Sequence, residues 1–355
     1  MTNGEIQLFK SLCNFKSDAI DAKLFNHATP AVLGHLFLNR MQAIAYGFMK
    51  ERGLLVNVNR EFRNALKSAY EQNIVKNLSY FWCVNYLAEV LSKCECKYAM
   101  LKGAYLCRYY PEGYRTSNDV DVLVMPENVT KLGNALTEAG FVQGHIRNDN
   151  FIPATRKEII ESKMMRGETV PYVKRIDMPG MKFLEVDINF SLDYKNSDTD
   201  SLGEILNRSV ARRVGDLNVP TLDIADFFIH LCSHLYKEAT TLPWIEMKRD
   251  MTLYKYCDIY LLLYDMSDEE VDCVFERAMS LGMEDICAFA ILQTAALFDV
   301  NNSYAKLMAR GTLCTIPDFL HTVVSPKDNQ VFIYIEEDIS KRFFAENRAD
   351  MLKEV

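Results

Sequence analysis

The sequence predicts an α+β protein. A small mixed β-sheet core, residues 98–220, lies between an N-terminal helical segment, 1–97, and a C-terminal helical domain, 221–355. Three observations carry this expectation. Apolar residues recur at helical spacings of three and four before Tyr98 and after Asp223. Between those points the pattern changes to alternation with β-branched residues. At 355 residues the chain is also long enough for two or three domains with a sizeable core.

The first segment is read from "DAKLFNHATPAVLGHLFLNRMQ" and from "NREFRNALKSAYEQNIVKNLSYFWCVNYLAEVLSKC". The second runs from about Asn59 to Cys94 with few breakers, which suits one long helix or two joined by a tight kink. It offers no chemistry of its own. Near Tyr98 "YAML" reads as a short strand closing on Lys-Gly, and "AYLCRYY" resumes the helical pattern. "PEGYRTSN" is a loop rich in turn formers, and "DVDVLV" is a strand. "PENVTKLGNALTEAGF" is a helix, with proline near its start and glycine near its end. "TVPYVKRID" and "MKFLEVDINFSL" read as two neighbouring strands joined at "MPG". From Asp223 onward "IADFFIHLCSHLYKEA" and the segments after it are helical, so strands are expected only within about 98–220.

Composition narrows the function. The chain is 49% hydrophobic and 25% charged, with a formal net charge of −8 and no long basic run. That argues against a protein gripping long nucleic acid through many phosphates. No stretch approaches the roughly 18 uninterrupted apolar residues of a membrane span, and the N-terminus lacks the basic-then-apolar pattern of a secretory signal. The ten cysteines are scattered, with only Cys94 and Cys96 close together, so they read as small buried hydrophobes. The expected location is the reducing cytoplasm.

"RTSNDVDVLV" carries the chemistry. Side chains along a strand alternate faces, so Asp119 and Asp121 point one way and Val120 and Val122 the other. Two carboxylates side by side raise one another's proton affinity unless a cation sits between them. Mg²⁺ is such a cation, often held by one or two carboxylates plus substrate phosphates, with Mn²⁺ as an alternative. In "FLEVDINF" the stripe Glu185, Asp187, Asn189 opposes Leu184, Val186, Ile188. If this strand neighbours the first, Asp187 completes a trio suited to two-metal phosphoryl transfer. Upstream, the Lys102-Gly103 turn at a helix start offers free backbone N–H groups to phosphates.

In order and spacing these parts resemble the nucleotidyltransferases of the DNA polymerase beta superfamily. More narrowly, "LKGAYLCRYYPEGYRTSNDVDVLV" resembles a bacterial family of mostly uncharacterised nucleotidyltransferases in which Lys-Gly replaces Gly-Ser and an arginine precedes the paired aspartates. Weaker matches extend the likeness over about residues 60–265, through "VDINFSL", "FFIHLCSH" and "YKYCDIYLLL". The resemblance implies that Asp119 and Asp121 bind metal. It places Asp187 as the third carboxylate and base, and Lys102 and Gly103 on the phosphate-facing turn. Arg115 and Ser117 fall in a loop that touches the triphosphate, and His234 in a helix packed over the nucleotide. Two departures stand out: fifteen residues separate Gly103 from Asp119, and Asn189 stands where relatives often carry histidine.

Other residues weigh less. His230 and His234 share a helix face, but no glutamate makes an H-E-x-x-H motif. Asp258 and Lys255 read as a structural pair. Among the basic doublets Lys174-Arg175, Arg212-Arg213 and Lys248-Arg249, only Lys174, on a strand beside Asp187, is expected near nucleotide.

The expected function is therefore Mg²⁺-dependent transfer of a nucleoside monophosphate, AMP from ATP, to an acceptor hydroxyl with release of pyrophosphate. A small-molecule acceptor is favoured over a protein side chain. The competing reading is an inactive nucleotide-binding module, such as part of a toxin–antitoxin or sensing pair. The three aspartates argue against it, since a dead site has no reason to tolerate their repulsion.

Overall fold

In the computed structural model, residues 1–17, 20–165, 167–192, 199–214, 217–298 and 318–355 are described. Helices α1 (Asn3–Cys13), α2 (Pro30–Leu38), α3 (Gln42–Glu51) and α4 (Arg60–Ser92) come first. Then follow β1 (Tyr98–Met100), α5 (Gly103–Tyr109), β2 (Asp119–Val124), α6 (Val129–Glu138), β3 (Val142–Arg147), β4 (Asn150–Pro153) and α7 (Arg156–Met165). Next are β5 (Tyr172–Met178), β6 (Met181–Asn189), α8 (Thr199–Asn207), β7 (Val210–Val214) and β8 (Leu217–Thr221). The chain continues through α9 (Ile224–Ala239), α10 (Leu242–Glu246), α11 (Leu253–Asp265), α12 (Asp268–Ser280) and α13 (Glu284–Leu297). The last elements are β9 (Thr322–Val324), β10 (Val331–Tyr334), α14 (Ile339–Phe344) and β11 (Leu352–Glu354). The expected α+β architecture, a small mixed sheet with helical segments before and after it, is what forms.

Helix α4 is a single 33-residue helix without a kink-forming glycine or proline. Its N-terminus is capped by Asn59, whose side-chain oxygen accepts the Phe62 N–H at 2.8 Å. Among the described residues no helix is long and apolar enough to cross a membrane.

The chain forms two compact units, Lys67–Phe227 and Met1–Leu66 with Phe228–Val355. The first holds a six-stranded sheet ordered β1-β2-β6-β5-β3-β4. Its centre is the parallel pair β2/β6, flanked by antiparallel β1 and β5. One face of that centre is apolar. Val120, Val122 and Val124 of β2 and Leu184, Val186 and Ile188 of β6 pack with Leu87 and Leu91 of α4 and Leu132 and Leu136 of α6. Each such fully buried side chain contributes about 1.5–3 kcal/mol. That burial anchors the two strands while leaving their opposite faces for polar residues. The β7/β8 hairpin packs beside β1, and the Thr221 hydroxyl donates to the Met100 carbonyl at 2.6 Å.

In the second unit N-terminal and C-terminal residues share one helical assembly. The Tyr260 hydroxyl donates to Asn14 Oδ1 at 2.7 Å, and the Leu253 N–H donates to Asn39 Oδ1 at 3.0 Å. Arg348 grips the fully buried Asp250 with two hydrogen bonds, 2.6 and 2.7 Å. Lys255 pairs with Glu238 of α9. This unit also corrects one expectation. Strands are not confined to 98–220, because β11, β10 and β9 make a small antiparallel sheet. Each is only three or four residues long, too short to show a period of two.

Candidate active site

The register of β2 and β6 builds the site. Asp121 pairs with Asp187 across the two parallel strands, Asp119 with Glu185, and Leu123 with Asn189. Directly paired residues share a face. Because the valines of β2 point into the core, the acidic residues all project from the other side of the sheet. The two sequence-distant aspartates are thus neighbours, as the paired strands required.

Lys102 enters from the turn between β1 and α5. Its ammonium lies 3.0 Å from Asp121 Oδ1. The backbone of Lys102 has φ +45° and ψ −113°, a region that non-glycine residues occupy at a cost of about 1–3 kcal/mol, and such strain concentrates at functional sites. Asn189 donates its side-chain N–H to the same Asp121 oxygen at 3.4 Å and to the Asp187 carbonyl at 3.3 Å. Asn189 therefore ties β6 to the Asp121 carboxylate.

Ser117 donates its hydroxyl to Asp119 Oδ1 at 2.8 Å. Burial opposes charge on Asp119, but the Ser117 hydrogen bond, the Lys102 ammonium, a backbone N–H and Arg115 together hold its carboxyl below the usual range. Asp187 goes the other way. Burial and the charges of Asp121, Asp119 and Glu168 push it well above the usual range, with Lys102 only partly offsetting them. Glu185 is raised too, by burial and by Asp119. One face of two strands thus carries more negative charge than its lysine compensates.

Gly103 has a steric reason. A Cβ there would meet Ser117 Cβ at 2.5 Å and the Tyr80 hydroxyl at 2.8 Å. The glycine lets the loop before β2 lie directly against the Lys102 turn, which brings Ser117 and the aspartates to it.

That loop is held by a polar stripe on α4 that sequence reasoning missed. Asn73 donates to the Gly113 carbonyl at 3.0 Å, Asn77 to the Arg115 carbonyl at 2.9 Å, and Tyr80 to the Asp119 carbonyl at 2.9 Å. Lys76 bonds the Asn118 side chain. Spacings of four and three put Asn73, Asn77 and Tyr80 on one helix face. The signal was the polar pair on an otherwise apolar face; its partner loop is not legible from α4 itself. Glu168 was missed as well. It bridges to Asn189 just before β5, and its charge bears on Asp187.

One expected residue, Lys174, is turned away from this face, and another, His234, lies in the second unit. Lys174 lies on β5 next to β6, but it pairs with Leu184 and so projects from the face opposite Asp187. Its ammonium reaches the Tyr86 hydroxyl at 2.6 Å and the Ala139 carbonyl at 2.7 Å. Within its own unit His234 stacks on His230 with ring centroids 6.4 Å apart and lies 3.5 Å from Glu238. Arg115 is near enough to bear on Asp119, and its guanidinium bonds the Thr116 carbonyl.

Among the described residues, no three histidine, cysteine or carboxylate side chains converge closely enough to enclose a metal ion as they stand. The donor set still suits a hard dication. Mg²⁺ commonly takes one or two carboxylates and completes its shell with water and phosphate oxygens. Asp119 and Asp121 are the two carboxylates that could serve such an ion, on a face whose charge raises Asp187.

A model of the family described as "Uncharacterised nucleotidyltransferase" matches residues 32–299. Among solved structures, an antigenic nucleotidyltransferase-like protein from Paracoccidioides brasiliensis is similar at 13% identity and a TM-score of 0.33, over 58% of this chain and 91% of that one. No curated protein matches.

Proposed function

The chain belongs to the uncharacterised nucleotidyltransferase family, and from that premise we propose that it moves a nucleoside monophosphate from an NTP, ATP first, to an acceptor hydroxyl. The observation that carries the reading is the pairing of Asp121 with Asp187, with Asp119 on the same face and Lys102 beside them. In this reading Asp119 and Asp121 hold Mg²⁺, or Mn²⁺ in its place. Bound there, the ion neutralises charge on the triphosphate as it accumulates in the transition state.

The chain's own residues do the rest. Lys102, the Gly103 N–H, Ser117 and Arg115 orient the phosphates from the turn and the loop facing it. Asp187, whose affinity for a proton is raised, takes the proton of the acceptor hydroxyl. The acceptor oxygen forms a bond to the α-phosphorus. The bond from that phosphorus to the bridging oxygen breaks, and pyrophosphate leaves with the electron pair. Positioning and charge stabilisation supply most of the rate.

A small molecule is the favoured acceptor and a protein side chain the second choice. The net charge of −8 weighs against a long nucleic acid. Calorimetry with a non-hydrolysable NTP analogue, with and without Mg²⁺, tests the site on wild type and on Asp119→Ala/Asp121→Ala. Metal-dependent binding that disappears in the double variant supports the reading. Binding indifferent to both favours a nucleotide-binding module without turnover.

A further inference from the structure

The second unit contains a cavity of about 450 Å³, within the range of about 300–1,000 Å³ that small-molecule sites occupy. Its walls come from α2, from the turn between α10 and α11, and from the end of α14 with the residues after it. Leu38, Met251, Phe343 and Phe344 make part of that lining apolar. The two phenylalanine rings meet edge to face, with centroids 4.9 Å apart.

Two opposite charges, Lys248 and Glu346, line the same space. Among the described residues neither forms an ion pair, with the other or with a third group. The remaining polar lining is engaged. Arg348 spends Nε and Nη2 on Asp250. Asn39 accepts the Leu253 N–H and donates to the His35 carbonyl at 3.0 Å. The affinity of His35 for a proton is lowered by burial and by the Met1 ammonium, so its ring is neutral at pH 7.

Lys248 also stands where glycine is the usual choice. Helix α10 ends in a Schellman motif, in which the Arg249 N–H donates to the Trp244 carbonyl at 2.8 Å and the Lys248 N–H to the Ile245 carbonyl at 2.9 Å. The motif needs a left-handed residue after the C-cap, and Lys248 has φ +57°. A lysine there is strained where glycine is not, and such strain collects at ligand sites. Within the described fold no contact of the side chain offsets it.

We propose that this cavity binds a free α-amino acid with a large apolar side chain, its carboxylate on Lys248 and its ammonium on Glu346. Charge selects the class. A plain anion would face Glu346 and a plain cation would face Lys248, each as a like charge, while a neutral apolar molecule leaves both unpaired. A zwitterion satisfies both, and its side chain covers Leu38, Met251 and the two phenylalanines, where burial adds affinity. The site lies wholly in the helical unit and does not rest on the nucleotide reading.

Calorimetric titration of the full chain with L-phenylalanine and L-leucine tests this, with 3-phenylpropanoate and 2-phenylethylamine as probes that each lack one charge. The expected result is saturable binding of at least one amino acid, with both single-charge probes weaker by about tenfold or more, the worth of one charge-assisted hydrogen bond. Glu346→Gln should weaken the amino acid to the same degree and spare 3-phenylpropanoate. Lys248→Gly carries two opposite expectations. It should raise the Tm of the ligand-free protein by about 1–2 °C, because glycine suits the left-handed position, and weaken amino-acid binding about tenfold or more. Both substituted side chains are exposed, so the variants keep the fold. No binding of either amino acid, single-charge probes that bind as well, or an unchanged affinity in Lys248→Gly overturns the proposal.

Discussion

Lys102 holds Asp121 by an ion pair of 3.0 Å, from a backbone conformation that lysine rarely adopts. The strained turn aims the ammonium back over the sheet rather than out along α5. Where metal and triphosphate bind, the same ammonium must let go of the carboxylate or share it. Lys102→Met should therefore weaken binding of an NTP analogue in Mg²⁺ by about 10- to 100-fold, the worth of one charge-assisted hydrogen bond. The same variant should bind Mn²⁺ alone more tightly than wild type, because a competing cation has gone. Titration of both ligands by calorimetry checks the two directions separately, and weaker Mn²⁺ binding would sink the competition argument.

The loop before β2 depends on α4. Asn77→Ala leaves the Arg115 carbonyl without the donor now 2.9 Å away, and Tyr80→Phe does the same to the Asp119 carbonyl. Each should destabilise the fold by about 1–3 kcal/mol. Both should also weaken nucleotide-analogue binding, since Arg115, Ser117 and Asp119 lose their fixed positions. Urea unfolding gives the first effect and calorimetry the second. An unchanged affinity in a folded Asn77→Ala protein would mean that the loop keeps its place without α4.

Gly103 and Gly34 make a matched comparison. A Cβ at Gly103 would enter the space of Ser117 and Tyr80, whereas one at Gly34, inside α2, meets nothing within 4 Å. Gly103→Ala should cost about 1–3 kcal/mol by overpacking. Gly34→Ala should stabilise by about 0.5–1 kcal/mol, the usual gain from replacing a helical glycine. Equal effects in chemical denaturation would show that the loop gives way at Gly103 without loss.

The strength and the limit of sequence reading both come from the period of two. Alternation alone placed Asp119 and Asp121 opposite Val120 and Val122, and the same rule gave Asp187 its face once β6 lay beside β2. Lys174 shows the limit. Its strand does adjoin that of Asp187, but which face it uses depends on register, and a shift of one residue reverses every side chain. Its pairing with Leu184 settles the matter, and nothing local in "TVPYVKRID" encodes that pairing. The α4 stripe failed differently. Asn73 and Asn77 were visible, but their partners lie about forty residues along the chain. The three C-terminal strands were too short to announce themselves.

Asp187 should make the protein less stable as pH rises. Its carboxyl binds a proton more tightly in the folded chain than at the ordinary aspartate value of 3.8, because burial and the charges of Asp121, Asp119 and Glu168 oppose ionisation. The folded state thus holds more protons than the unfolded state from that value up to the raised one. Stability falls across this window and stays low above it. Asp187→Asn has no proton to lose. In metal-free buffer with chelator, the variant should match wild type near pH 4 and exceed its Tm by a few degrees near pH 8, as relieved functional-site strain commonly gives. Glu185 is raised by burial and by Asp119, so part of the wild-type slope should persist in the variant. Adding Mg²⁺ at pH 8 should then close most of the gap by stabilising wild type more than Asp187→Asn. A gap that is constant with pH, or that widens toward acid, would show that Asp187 carries no such penalty.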